Sequence, residues 1–162
     1  MFVDFDTLPS DSKIWVYQAD RLLGNVELIE LRNKLRSFSD SWDSHGKSLK
    51  NSFCFFYNYF IVIGVDENYT MASGCSIDKS VDFIRKTEQE FNVNLLDRSR
   101  IAFEIDNVIQ QFSFNNLKVN IANQTIKPES LMFNNTVVTL GEFRKKWKSP
   151  AGETWISKYF NK

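Results

Sequence analysis

Apolar residues fall at Leu28, Leu31, Leu35, Phe38 and Trp42, in steps of three and four. That spacing marks one face of a helix and predicts an amphipathic helix of roughly four turns. Gly24-Asn25 precedes it, and Asn25 has the short polar side chain of an N-cap. Ile77, Val81, Ile84 and Phe91 form a second stripe, interrupted by Glu88. It predicts a helix that starts near Ser76 and closes in Phe91-Asn92-Val93-Asn94. Elsewhere the period shortens. Ile14 to Tyr17 reads as a strand, and Ser52 to Tyr57 and Phe60 to Asp66 read as a hairpin turning at Asn58. Ile101 to Ile105 and Ile109 to Phe114 are strands on either side of an Asp106-Asn107 turn.

The resulting order is strand, helix, strand, strand, helix, strand, with one strand appended. That order predicts an α+β fold with a ferredoxin-like βαββαβ core, an antiparallel sheet carrying two helices on one face. The remainder predicts a C-terminal helical extension. Asn116 to Asn123 is a short helix, and Thr125 to Phe133 is irregular around Pro128. Thr139-Leu140-Gly141-Glu142 has the form of a capping box. Phe143 and Trp147 lie one turn apart, as do Trp155 and Tyr159, with Pro150 placed to open the last helix. The chain is expected to be a single domain: an α+β core over residues 12–114, with residues 115–162 as a helical layer packed on it.

Composition narrows the class. An aromatic fraction of 15%, in which Phe alone supplies 15 residues, is too high for a disordered chain. The formal net charge is zero, so no global field gathers nucleic acid or acidic lipid, and any such binding must be local. Two cysteines, Cys54 and Cys75, cannot build a disulfide framework. The start lacks the basic and apolar regions of a secretory signal, and no apolar run suits a bilayer span. These features predict a cytoplasmic protein with no membrane insertion.

Three stretches invite a chemical reading. The first is Ala72-Ser73-Gly74-Cys75-Ser76-Ile77-Asp78-Lys79-Ser80-Val81. A Walker loop needs a second glycine before its Lys-Ser, and here that glycine is missing and the loop is one residue short. The plainer expectation is a helix start capped by Ser76 or Asp78, with Ser76, Lys79 and Ser80 as candidate anion contacts. The second reading of the same stretch makes Cys75 a nucleophile, since a helix start favours thiolate. His45, the only histidine, is then the only imidazole base. No spacing of His and Cys fits a metal, so no metal site or cofactor is expected. The third is Arg144-Lys145-Lys146-Trp147-Lys148, a basic run with an aromatic inside it. Together with Trp15 and Tyr17 on one strand face, it suggests a surface for RNA or for a protein partner. Against that, Trp15 and Tyr17 are also what a core face would contain.

The segments "KIWVYQADR", "SHGKSLKNSF", "YNYFIVIGVDENY", "ASGCSIDKSV", "DRSRIAFEID" and "FNNTVVTLGEF" resemble an uncharacterised family of about this length found in Bacteroidota, along nearly the whole chain. Its members often carry the label "ABC transporter ATPase". The chain has no intact Walker A and no LSGGQ-type signature, so the motifs do not carry that label. The resemblance implies a bacterial cytoplasmic protein and supplies no active-site residues. The sequence therefore predicts a small, non-catalytic binding or accessory protein with a protein or RNA partner. The alternatives are a thiol enzyme using Cys75 and His45, and an ABC-associated ATPase.

Overall fold

A computed structural model describes residues 1–161. It is an α+β protein built as two compact units. Met1–Leu96 with Val138–Gly141 makes the first, and Asp97–Val137 with the chain from Glu142 onward makes the second. The expected division at residue 114 is therefore not where the chain divides. No helix among the described residues is long and apolar enough to cross a membrane.

In the first unit β1 (Lys13–Gln18), β4 (Asn51–Phe56) and β5 (Phe60–Val65) form an antiparallel sheet in the order β1-β5-β4. Trp15 pairs with Ile63 and Tyr17 with Ile61, so these residues point to one face, as do Phe53 and Val65. That face forms a core with Leu31 and Leu35 of α1 (Asn25–Ser41), Ile84 and Phe91 of α2 (Gly74–Phe91), and Trp42. The opposite face is also buried, at Ile14, Val16, Phe60 and Val62. A sheet covered on both sides explains why β5 shows no apolar alternation. Between α1 and β4 lies a small hairpin, β2 (Asp43–Ser44) with β3 (Lys47–Ser48). Its two-residue turn, His45-Gly46, has φ of 51° and 80°, the left-handed pair that short hairpin turns require.

The ferredoxin-like expectation needs Arg100–Ile105 as a fourth strand of this sheet, and the structure places it elsewhere. As β6 it pairs with β7 (Val108–Ser113) over six residue pairs. The turn between them, Asp106-Asn107, has φ of 52° and 62°, so a tight local hairpin prevails over a long-range pairing. The outer side of β1 is bordered instead by Val138–Leu140: Ile14 N–H donates to Val138 O at 3.0 Å, and Leu140 N–H to Ser12 O at 2.9 Å.

The second unit has a four-stranded sheet in the order β7-β6-β8-β9, with β8 at Leu131–Phe133 and β9 at Lys148–Pro150. One face, bearing Ile101, Phe103 and Met132, packs with Leu117 of α3 (Leu117–Ala122) and with Ile126 and Ile156. The C-terminal region is thus not the helical extension expected. It supplies an edge strand that ends at Pro150, where a missing N–H is tolerated, and two 3-10 turns at Ala151–Glu153 and Ser157–Tyr159. The one longer helix here, α4 (Leu140–Lys146), starts directly after Thr139.

The two long helices sit as their caps dictate. For α1 the cap is Gly24 rather than Asn25, because Glu27 Oε1 reaches back to accept the Gly24 N–H at 3.0 Å. Arg21 grips the same carboxylate with both terminal nitrogens, at 2.8 and 2.7 Å, and donates to Phe91 O, the end of α2, at 2.6 Å. The Arg21 fork first, then the Gly24 amide, lowers the Glu27 pKa to about 2. A depressed carboxylate stabilises the fold at pH above its ordinary value, and that contribution fades as pH falls toward the depressed value. Arg21→Ala is expected to move the Glu27 titration, followed by the side-chain carboxyl carbon in NMR, upward toward ordinary glutamate. An unmoved titration would show that the fork is not the cause.

Candidate functional site

The buried stripe of α2 keeps the expected Ile84 and Phe91 but in the first half is shifted by one residue, from Ile77 and Val81 to Ser76 and Ser80. It runs through Ser76, Ser80, Ile84, Thr87 and Phe91. Hydroxyls can line a core face because each bonds back to its own helix: Ser76 Oγ to Ser73 O at 2.7 Å, Ser80 Oγ to Ile77 O at 2.6 Å, and Thr87 Oγ1 to Phe83 O at 2.9 Å. The N-cap is Ser73, whose Oγ accepts the Ser76 N–H at 3.1 Å, rather than Ser76 or Asp78. Gly74 is already the first helical residue, so an α-turn stands where a phosphate loop would have to curl. The expected anion contacts are engaged elsewhere. Ser76 and Ser80 are buried, and Lys79 Nζ pairs with Asp43 Oδ1 at 2.8 Å.

Cys75 is exposed on the first turn of α2, and His45 is exposed in the β2–β3 turn. The Lys79–Asp43 pair joins the two elements that carry them. No side-chain hydrogen bond connects the thiol and the imidazole among the described residues, and neither has an ion-pair partner. Asp43, the carboxylate beside them, serves Lys79 and the Gly46 amide, and these, Lys79 first, lower its pKa. Among the described residues no cluster of three or more His, Cys, Asp or Glu side chains suits a metal ion.

The basic-aromatic run separates into three environments. Arg144, Lys145 and Lys146 are exposed on α4. Trp147 is a core residue at 5% exposure: it stacks on Phe143 at 4.6 Å, packs against Phe133 at 4.8 Å, and its Nε1–H donates to Asn135 Oδ1 at 2.9 Å. Lys148 is half-buried and pairs with Glu104 at 2.7 Å across the sheet. On β1, Tyr17 is buried and Trp15 is half-buried against Trp42, so this face is a helix-covered core rather than a platform for bases.

The exposed aromatics are elsewhere in the second unit. Ser113 caps a 3-10 turn, Phe114–Asn116, by accepting the Asn115 N–H at 3.2 Å, and the turn lifts Phe114 off the end of β7. Trp155 lies between two buried residues, Thr154 and Ile156; with both neighbours held inside, the indole is left at 39% exposure. The two rings stack with centroids 6.1 Å apart, and Phe114 is 45% exposed. They line a cleft of about 320 Å³ with Arg98, Ser99 and Asn115, floored by Ile101. Among the described residues no carboxylate, thiol or imidazole lines it. The sequence pattern alone places Phe114 at a strand end and Trp155 on one face of a helix. The turn composition of Ser113-Phe114-Asn115-Asn116 was the available signal.

Charge is unevenly divided. The second unit contains ten Lys and Arg against six Asp and Glu, and the first contains ten against fourteen. In the first unit Arg21, Lys34, Arg36, Lys50, Lys79 and Arg85 are in ion pairs. In the second, Arg98, Lys118, Lys127, Arg144, Lys145 and Lys146 have no ion pair among the described residues. The neutral total hides a basic unit whose cations are open to solvent. No protein family, curated protein or solved structure matches this chain.

Proposed function

We propose that the chain is a small binding protein, without catalysis of its own, whose second unit takes up single-stranded RNA. The observation that carries this reading is the solvent-open Phe114–Trp155 stack beside Arg98, on the unit with surplus unpaired cations. Aromatic faces stack on unpaired bases of any identity, and Lys and Arg hold the phosphates between them.

Titrating an oligouridylate while following tryptophan emission tests this. Of the four tryptophans, Trp42 and Trp147 are buried and Trp15 is half-buried against Trp42, so Trp155 is the one most open to quenching. Trp155→Ala lacks that signal, so its affinity is read from the anisotropy of a fluorescein-labelled oligouridylate; it is expected to bind about tenfold more weakly, the low-to-middle range for one lost base stack. Affinity that is undetectable at low salt, or unchanged by Trp155→Ala, would remove the proposal.

A protein partner is the second reading. Leu22, Val26 and Ile29 are 55%, 77% and 64% exposed at the start of α1. Val26 and Ile29 are one turn apart and outside the core stripe.

A further inference from the structure

The same ridge of rings borders a second cleft. It has a volume of about 550 Å³ and is lined by Ile121, Ile126, Pro128, Tyr159 and Phe160. Lys118 and Lys127 stand at its rim, with Glu129 as the one carboxylate. Tyr159 links the two places. It lines this cleft, and its ring meets Phe114 of the first cleft edge-on at 6.3 Å. Lys158 Nζ sits 5.3 Å from the Tyr159 ring centroid, adding a positive charge over that ring. Three rings, Trp155, Phe114 and Tyr159, therefore follow one another at spacings of 6.1 and 6.3 Å, with Phe160 beyond.

We infer that the two clefts are successive subsites for one single strand of RNA, an inference that rests on the binding function proposed above. One base enters the slot beside Trp155 and Arg98, and the strand crosses the Phe114–Tyr159 contact. A later base rests on the apolar floor of the second cleft, and its flanking phosphates meet Lys118 and Lys127. The second cleft has the volume, apolar lining and few polar groups of a site for one flat organic group. It is open at the surface, and its Tyr159 ring touches Phe114 of the first cleft, so the two clefts adjoin as a track requires. A duplex, with its bases stacked inside, could not present them to either cleft.

Length dependence tests this. Oligouridylates of two, four and eight residues are titrated against the wild-type protein, Trp155→Ala and Lys118→Ala/Lys127→Ala. In the wild type, affinity is expected to rise at least tenfold between the dimer and the octamer. In Lys118→Ala/Lys127→Ala the dimer should bind as before, while the gain with length falls to a few-fold. An octamer carrying 4-thiouridine at both ends should crosslink, in one complex, to a peptide containing Trp155 and to one containing Phe160. If the length gain survives in the lysine variant, or crosslinks never reach the Phe160 peptide, the two-subsite inference fails and the single-cleft reading stands. If the wild type binds no oligonucleotide of any length, the underlying binding function fails and takes this inference with it.

Discussion

Replacing Trp42 with alanine is expected to destabilise the first unit by about 4 kcal/mol, the range for emptying a large aromatic site in a packed core. Trp42 is only 2% exposed. Its ring packs against Phe38 at 5.2 Å and Trp15 at 6.3 Å, and its Nε1–H donates to Ser76 O at 2.8 Å in a buried setting. One side chain thus joins the end of α1, the β1 strand and the first turn of α2. Alanine would leave a cavity where these elements meet and remove a buried donor. Trp42→Phe separates the two effects. It keeps most of the ring volume and loses the N–H, so it should cost about 1–2 kcal/mol. Urea unfolding followed by circular dichroism measures both. An alanine variant within about 1 kcal/mol of wild type would show that the site collapses freely or that Trp42 does not hold these elements together.

The second large effect concerns binding. Arg144→Ala/Lys145→Ala/Lys146→Ala is expected to lower RNA affinity by about 10- to 100-fold near 0.1 M salt, similarly for every base sequence. The reason is counterion release. Each phosphate neutralised by a protein cation contributes about −0.7 to the slope of log affinity against log salt for a single strand, so three lost contacts should flatten that slope by about 2. All three side chains are exposed on α4 without ion-pair partners among the described residues, so their removal should leave the fold intact. A melting temperature equal to wild type checks that point. Weakened binding with an unchanged salt slope would mean that the run does not touch phosphate. Unchanged binding would confine RNA to the two clefts.

Elements with local signals were legible in the sequence. The stripe from Leu28 to Phe38 and the Asp106-Asn107 turn appear where their spacing and residue types place them. In α2, Ile84 and Phe91 lie on the buried face as their spacing places them, while the first half of the stripe is one residue out of phase. Ser76, Ser80 and Thr87 look polar in sequence, and only their bonds to the helix's own carbonyls let them be buried. Glu88 appeared to break the stripe. In the structure its Oε2 accepts the Leu95 and Leu96 amides at 2.7 and 3.0 Å, holding the chain after the helix. The β4–β5 hairpin was legible, but which sheet β6 joins was not, because long-range pairing depends on distant partners and β6 took the nearest one. The basic-aromatic run misled for a related reason. Residue type shows that Trp147 can stack, but burial against Phe133 and Phe143 decides that it stacks inside. The exposed pair, Phe114 and Trp155, lies 41 positions apart in sequence, and only the fold brings it together.

The unequal division of charge also governs how molecules of this protein meet one another. A neutral chain with mixed charge has weak electrostatic attraction between copies. Here a region with surplus cations and a region with surplus carboxylates coexist on each molecule. In dilute buffer the basic region of one copy attracts the acidic region of the next, and added salt screens that attraction over about 10 Å at 0.1 M. Concentrated solutions should therefore clear, rather than cloud, as salt is raised.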